Sequence, residues 1–303
     1  MSSRRAEAAV LLAALALALG ALPLPARATS PAPSAAQAET AYTLYGDIAT
    51  GWGNRTNAIT NPGPTLYVYA GDNVTLTLYS TQTGVVHDWF IDFNKDKRPD
   101  GSEPTSPDFS SQATPLVWSF IAPLNATGIW PYLCKYHTIT MTGQIVILSP
   151  KNVTLYGSVG AGGVPAGWGF TNASITEPGP TLYLLAGVNV TLHLISADGQ
   201  THTWFIDYDN GTSPTGGEPA SLQFQSTPID FLFAPDRTGT FLYRCGIHPI
   251  QMTGTVVIVG AVVIQAAPSL GLIPMIMIVT IVLVLVLAAV YQVRAVRAAR
   301  RTK

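Results

Sequence analysis

The chain of 303 residues contains the stretch Cys134-Lys135-Tyr136-His137-Thr138-Ile139-Thr140-Met141 and, later, Cys245-Gly246-Ile247-His248-Pro249-Ile250-Gln251-Met252. Both stretches have the spacing Cys-x2-His-x3-Met, and each leads into a run of β-branched residues. Upstream, His87 and His202 each begin a nearly identical aromatic run, His-Asp-Trp-Phe-Ile-Asp and His-Thr-Trp-Phe-Ile-Asp. Two imidazoles and a thiolate with a weak axial thioether are typical of a copper ion that cycles between Cu(I) and Cu(II). The sequence therefore predicts one such site in each half.

The repeat extends over each half of the chain. Pro-Gly-Pro-Thr-Leu-Tyr occurs at 62–67 and again at 178–183, and a Gly-Trp pair precedes each copy. A period above 100 residues indicates duplicated domains and not a short-repeat solenoid. Within each copy, short alternating β-branched segments are separated by Gly, Pro and Asn, which predicts a Greek-key β-sandwich. We expect an all-β protein with domains at 42–149 and 150–260.

This combination resembles the cupredoxin family, the small blue copper proteins such as plastocyanin, amicyanin and azurin. The resemblance covers each half almost end to end and implies two cupredoxin domains in tandem. It implies two type 1 copper sites, one formed by His87, Cys134, His137 and Met141 and the other by His202, Cys245, His248 and Met252. The family usually has Asn after the first histidine, bracing the cysteine loop. Asp88 and Thr203 depart from that pattern, so we expect two different reduction potentials.

Charge and cysteine content exclude some alternatives. Residues 42–258 carry eight basic and fifteen acidic side chains, a net charge of −7, which disfavours a nucleic-acid partner because phosphate binding needs a basic face. Two cysteines in an exported chain could form one disulfide. Their equivalent repeat positions argue against this, since a disulfide explains neither the histidines nor the methionines.

The two ends of the chain carry targeting signals. Residues 1–28 have the basic start, apolar centre and small residues of a signal peptide, with an uncleaved anchor as the alternative. Residues 29–41 read as a flexible linker. Residues 269–291 are apolar enough for a transmembrane helix, and the basic tail 292–303 predicts a cytoplasmic C-terminus. Seven of ten asparagines stand in Asn-x-Ser/Thr, which predicts a glycosylated, extracytoplasmic surface.

An acidic stretch follows the first upstream histidine. Asp92, Asn94, Asp96, Asp100 and Glu103 occupy positions 1, 3, 5, 9 and 12 of an EF-hand-like loop. Lys97 replaces the usual turn glycine, and the second copy keeps only Asp207, Asp209 and Glu218. Calcium binding is one interpretation, and a solvated acidic loop is the alternative that we favour.

The histidine count bears on catalysis. Of five histidines, four belong to the two predicted sites, and His193 lies in an ordinary strand pattern. Copper oxidases with stacked cupredoxin domains need additional histidines for further copper ions, so we predict that the chain is not an enzyme. Three functions remain open: an electron carrier that serves redox proteins at the outer membrane face, a copper-binding or delivery protein, and a structural surface β-sandwich with vestigial sites.

Overall fold

The computed structural model describes residues 39–260, which form two β-sandwiches in succession. In the first sandwich, one sheet has the order β3-β2-β1-β5-β7 and the other β4-β9-β8-β6. Its strands are β1 (Glu39–Asp47), β2 (Gly51–Gly53), β3 (Ile59–Thr60), β4 (Leu66–Tyr69), β5 (Asn73–Ser80), β6 (Phe90–Ile91), β7 (Leu116–Ile121), β8 (Gly128–Leu133) and β9 (Thr142–Leu148).

The second sandwich repeats this arrangement with sheets β11-β10-β13-β15 and β12-β17-β16-β14. Its elements are β10 (Asn152–Val159), a 3-10 turn (Ala161–Gly163), β11 (Ala166–Gly169), a second 3-10 turn (Asn172–Ser174), β12 (Leu182–Leu185), β13 (Val190–Ser196), β14 (Phe205–Asp207), β15 (Ile229–Phe233), β16 (Gly239–Arg244) and β17 (Thr253–Val259). The predicted all-β fold and tandem β-sandwich architecture are confirmed.

Strand order is the same in both halves, except that β3 has no counterpart strand among the described residues of the second sandwich. β1 pairs parallel with β5, and β10 pairs parallel with β13. In the opposite sheets β4 pairs parallel with β9, and β12 pairs parallel with β17. Strand β1 begins at Glu39, inside the expected linker 29–41, because Glu39 continues the parallel register opposite Asn73. The last strand of each half, β9 or β17, therefore lies in a sheet centre, directly after the Cys-x2-His-x3-Met loop.

Alternating side chains fill each sandwich. Strand β5 alternates strictly between half-buried and buried positions, as a strand with one face on the core should. Trp52, Trp89 and Tyr132 are fully buried in the first core, where the rings of Trp89 and Tyr132 stack with centroids 5.5 Å apart. The buried Tyr132 hydroxyl donates to the carbonyl of Pro64 at 2.7 Å, which satisfies its polar atom. Trp168, Trp204 and Tyr243 repeat this core in the second half.

The first sandwich connects to the second at Ser149, which is almost fully buried. Its backbone N–H donates to the carbonyl of Tyr183 at 2.8 Å, and its hydroxyl accepts from the Tyr183 N–H at 3.0 Å. Lys151 lies over the ring of Tyr69, 4.7 Å from its centroid. The Ser149–Tyr183 hydrogen bonds join the end of β9 to β12 of the next sandwich, and Lys151 packs back on β4 of the first.

Residues 39–260 contain no helix long and apolar enough to span a membrane. The predicted signal peptide at 1–28, the transmembrane helix at 269–291 and the basic tail lie outside the described residues, as does most of the linker.

Candidate metal centres

The fold brings the predicted ligands of each half together at one end of its sandwich. His87 lies just before β6 and is held by a bridge to Phe109, while Cys134 follows the end of β8. Ligand atoms of His87, Cys134 and His137 all lie within 4.8 Å of one another, and the same holds for His202, Cys245 and His248. The cysteines and the upstream histidines are fully buried, whereas the downstream histidines are half-buried. Solvent therefore reaches one histidine of each set, His137 or His248.

The spacing of the donor atoms fits a bound metal ion. From Cys134 Sγ, Nδ1 of His87 lies at 4.0 Å and Nδ1 of His137 at 3.5 Å. From Cys245 Sγ, the corresponding distances are 3.9 Å to His202 and 3.7 Å to His248. Bonds of about 2.3 Å to sulfur and about 2.05 Å to nitrogen, as in zinc sites, would place S and N about 3.8 Å apart at trigonal angles. Both histidine–cysteine sets match that separation.

The methionines complete the same loops. The backbone N–H of Cys134 donates to the Met141 carbonyl at 3.1 Å, and the Met141 N–H donates to the His137 carbonyl at 2.8 Å. Met252 closes the second loop in the same way. Both methionines are fully buried, and a Cβ placed on Gly46 would lie only 2.7 Å from Met141 Cε. Glycine at that position therefore leaves room for the methionine side chain.

Asp88 and Thr203 both brace the cysteine loops, although neither is the asparagine of the resembling family. Asp88 Oδ1 accepts the backbone N–H of Lys135 at 2.7 Å, and Thr203 Oγ1 accepts that of Gly246 at 2.8 Å. The Asp88 carboxylate is fully buried, with Lys135 Nζ 3.4 Å from its second oxygen. The two loops thus use the same hydrogen bond with a different charge.

The thiols differ in their electrostatic surroundings. Burial raises the pKa of Cys134 to about 11, and the nearby charge of Asp88 acts in the same direction. Burial would also raise the pKa of Cys245, but hydrogen bonds from His202 and from three backbone N–H groups outweigh it and lower the pKa to about 6. Burial lowers the pKa of His87 to about 4, whereas contacts with Cys245 and Asp198 outweigh burial and raise the pKa of His202. Thiolate is therefore more available in the second centre.

Two residues of the second centre were missed by sequence reasoning. Asp198 contacts the outer nitrogen of His202, yet it stands in the unremarkable turn sequence Ala-Asp-Gly-Gln. Arg244 reaches from the residue before Cys245 to Asp207 at 2.6 Å and to the Pro249 carbonyl at 2.9 Å. The available signal in the sequence was the repeat itself, because Arg244 occupies the position equivalent to the apolar Leu133.

In the acidic loops, carboxylate oxygens accept hydrogen bonds from backbone N–H groups of the same loop. Asp92 accepts the N–H groups of Asp96 and Lys97, and Glu103 accepts those of Phe93 and Asp100. In the second half, Asp207, Asp209 and Glu218 lie together, with the Arg244 guanidinium on Asp207. Calcium binding remains a prediction.

The remaining histidine lies outside the two donor sets, and the two cysteines are not joined to each other. His193 lies on β13, partly exposed, with Nδ1 2.6 Å from Asp230 Oδ1. Cys134 and Cys245 are both free, each buried in its own sandwich, which excludes the disulfide alternative. No residue elsewhere in 39–260 adds a histidine to either centre.

Solved structures similar to this chain are blue copper proteins and copper oxidases. Auracyanin A, a "blue" copper protein from Chloroflexus aurantiacus, is 18% identical with a TM-score of 0.29, and the match covers 36% of this chain and 99% of that one. The blue copper oxidase from Nitrosomonas europaea is 15% identical with a TM-score of 0.26, covering 73% of this chain and 86% of that one. No family model and no curated protein matches.

The architecture and the two donor sets define a class of protein on their own. Each of the two successive β-sandwiches has one parallel strand pair in each of its sheets and a His–Cys–His set at one end. This arrangement is consistent with a tandem cupredoxin. The sequence resemblance to that family is thereby confirmed at the level of the fold.

Proposed function

We propose that this chain is an extracytoplasmic, membrane-anchored copper protein that carries single electrons through two type 1 sites. The observation that supports it is the pair of buried His–Cys–His sets, each with a buried methionine in the same loop. Imidazole and thiolate ligands with a weak thioether are typical of copper electron-transfer sites. Copper bound there would supply a one-electron couple whose ligands need little rearrangement.

The protein residues perform three tasks in this proposal. The sandwich holds His87 and Cys134 rigidly, because both side chains are fully buried. The half-buried His137 presents one ring edge to solvent, where an electron can enter or leave. Exposed Ile139 beside it, 81% accessible, provides an apolar contact surface for a redox protein, and Ile250 does so at the second centre with 74% accessible.

The proposed location rests on the sequence ends. The signal-like start, the apolar run at 269–291 and the basic tail together favour a single C-terminal span with both sandwiches outside the cytoplasm. Partners would then be redox proteins at the outer membrane face. A chain ending at residue 260 should appear in the soluble extracytoplasmic fraction, while the full chain should sediment with membranes. Equal distribution of the two would contradict the anchor.

Electron transfer is favoured over catalysis and over copper delivery. The fifth histidine is on β13 with Asp230, so it offers no further copper ligand near either set. We therefore propose no oxidase activity. Delivery requires easy release, whereas a buried thiolate in a preformed site favours retention of copper.

Copper titration of the full-length chain tests the proposal. We expect two equivalents of Cu(II) to bind, each adding the strong thiolate-to-copper absorption band and narrow hyperfine splitting in the paramagnetic resonance spectrum. The bound copper should resist a soluble chelator. Rapid loss to the chelator would support the delivery function, and weak uptake with an ordinary tetragonal spectrum would overturn both copper functions and leave a structural role.

A further inference from the structure

In the second metal centre, a buried carboxylate contacts the upstream histidine, a contact that the first centre lacks. Oδ1 of Asp198 lies 2.9 Å from Nε2 of His202, and both side chains are fully shielded from solvent. The other ring nitrogen of His202, Nδ1, faces Cys245 Sγ at 3.9 Å. Asp198 therefore contacts the side of the ring that points away from the metal ligands.

A network of donors fixes the Asp198 carboxylate. Oδ2 accepts the Val159 backbone N–H at 2.7 Å and the Ser158 hydroxyl at 3.2 Å. Oδ1 accepts the Gln200 N–H at 3.0 Å as well as the His202 ring. Backbone, hydroxyl and ring donors therefore hold both oxygens of the Asp198 carboxylate in a fixed orientation.

The oriented Asp198 carboxylate is a hydrogen-bond acceptor at Nε2, and it determines which nitrogen of the His202 ring carries hydrogen. A carboxylate can only accept, so Nε2 must donate, and the lone pair of a neutral ring is left on Nδ1, the side facing Cys245. Such carboxylate–histidine pairs fix the ring tautomer and orientation of metal-bound histidines and raise the basicity of the ligand. A more basic ligand favours the more highly charged state of a bound metal.

The first centre offers no equivalent contact. Nε2 of His87 is buried, and none of the described residues forms a hydrogen bond with it. Gln82, which stands two residues after Ser80 as Asp198 does after Ser196, instead accepts the Ile48 N–H. Asp47 accepts hydrogen bonds from Ala49, Thr50 and Thr81 instead.

We infer that Asp198 is a positioning residue that sets the metal affinity and reduction potential of the second centre, by holding His202 as an Nδ1 ligand and favouring Cu(II) over Cu(I). This inference rests on the proposed function, since it concerns copper at that centre. It applies to one of the two sites in the chain and makes no claim about the first.

The test uses full-length chains in which Cys134→Ser leaves the second centre as the one thiolate copper site. In that background we compare Asp198→Asn and Asp198→Ala with the parent. Asp230→Asn is the matched control, because it also removes one negative charge next to a histidine of the second sandwich but lies on its exposed face. Circular dichroism and thermal melting confirm that each variant is folded before copper is added.

We expect the Asp198 variants to bind Cu(II) about 10–100-fold more weakly than the parent, as for other partners of metal-bound histidines. Weaker Cu(II) binding with Cu(I) affinity unchanged raises the reduction potential by about 59 mV per tenfold. Asp230→Asn should change neither quantity. In metal-free chains, nitrogen NMR should show His202 protonated at Nε2 in the parent, and a mixture of tautomers in Asp198→Ala.

The outcomes separate this inference from the proposed function. A parent that binds type 1 copper, with the same potential and affinity in the Asp198 variants, overturns the role of Asp198 and leaves the function intact. A shift of equal size in Asp230→Asn also overturns it, because the effect would then be general charge. A parent without a thiolate-to-copper band overturns the proposed function, and the potential-setting role with it.

Discussion

The two candidate metal centres share one fold and one donor set but differ in the residues that surround the donor side chains. The first has Asp88 with Lys135 at the cysteine loop, and an unpartnered outer nitrogen on His87 among the described residues. The second has neutral Thr203 at the loop and places its carboxylate, Asp198, on the histidine instead. A duplicated sandwich can therefore keep its ligands while relocating the buried negative charge.

A second difference concerns the corner between the acidic loop and the cysteine loop. In the second sandwich, the Arg244 guanidinium reaches across this corner and donates to Asp207, Asn210 and the Pro249 carbonyl. In the first, Leu133 takes the arginine's place, and the corner is an open pocket of about 340 Å³ lined by Asp92 and Ile139 among others. The second cysteine loop is thus tied to the acidic loop by an ion pair that the first loop lacks.

Removing one cysteine at a time should have the largest effect on this comparison. Cys134→Ala and Cys245→Ala should each halve the thiolate-to-copper absorbance of the fully loaded chain, because each thiolate lies in its own sandwich. The paramagnetic resonance spectra of the two single-site chains should add up to the wild-type spectrum. Loss of both sites in either variant would show that the centres are coupled, contrary to their separate cores.

Sequence reasoning predicted the two donor sets because their order and spacing recur in both halves, and the fold brings the histidines and cysteine of each set together. The same reasoning missed Asp198, since it lies in a turn of different length from its counterpart, and only the fold brings it against His202. It also could not foresee that Asp88 and Thr203 make the same hydrogen bond, because an acid and an alcohol look unlike in a sequence. Surroundings of a site depend on loop geometry, which periodicity does not specify.

The ionisation of the two thiols should differ strongly in the metal-free chain. Ultraviolet absorbance of thiolate should rise in two steps, near pH 6 for Cys245 and near pH 11 for Cys134. The lowered pKa of Cys245 means that its contribution to stability is present above the unfolded-state pKa near 9 and is lost as the pH falls toward 6. For Cys134 the sign is opposite, and ionisation at high pH destabilises the fold.

The single-cysteine variants assign each step, since Cys245→Ala should remove the lower one and Cys134→Ala the upper one. Two coincident steps would show that the surroundings of the two thiols do not separate them. Asp198→Asn should move the lower step upward, because loss of the carboxylate lowers the pKa of His202 and so weakens the positive charge beside the thiolate.

Replacing Arg244 by leucine, as at the equivalent position of the first sandwich, should destabilise the second sandwich by about 3–5 kcal/mol. The reason is that Asp207, fully buried, would lose its cationic partner and keep its charge. Urea unfolding followed by tryptophan fluorescence measures the change. The double variant Arg244→Leu with Asp207→Asn should recover much of the loss, whereas an unchanged midpoint in the single variant would mean that the pair contributes little.

The braces of the two cysteine loops should respond least to exchange of their charge. Asp88→Asn keeps an oxygen acceptor for the Lys135 N–H and leaves Lys135 paired with Asp108 at 2.8 Å. We expect the free energy of unfolding to change by less than about 1 kcal/mol, since an exposed lysine contributes little through its ion pair.

Thr203→Val is the opposite case in the second loop. Valine keeps the shape of threonine but removes the acceptor of the Gly246 N–H, and leaving that donor without its partner should cost about 1–3 kcal/mol. Unfolding midpoints and exchange rates of the Lys135 and Gly246 amides compare the two variants. If Asp88→Asn costs as much as Thr203→Val, the charge of Asp88 stabilises the first loop in its own right. The hydrogen bond would then not be the shared element of the two centres.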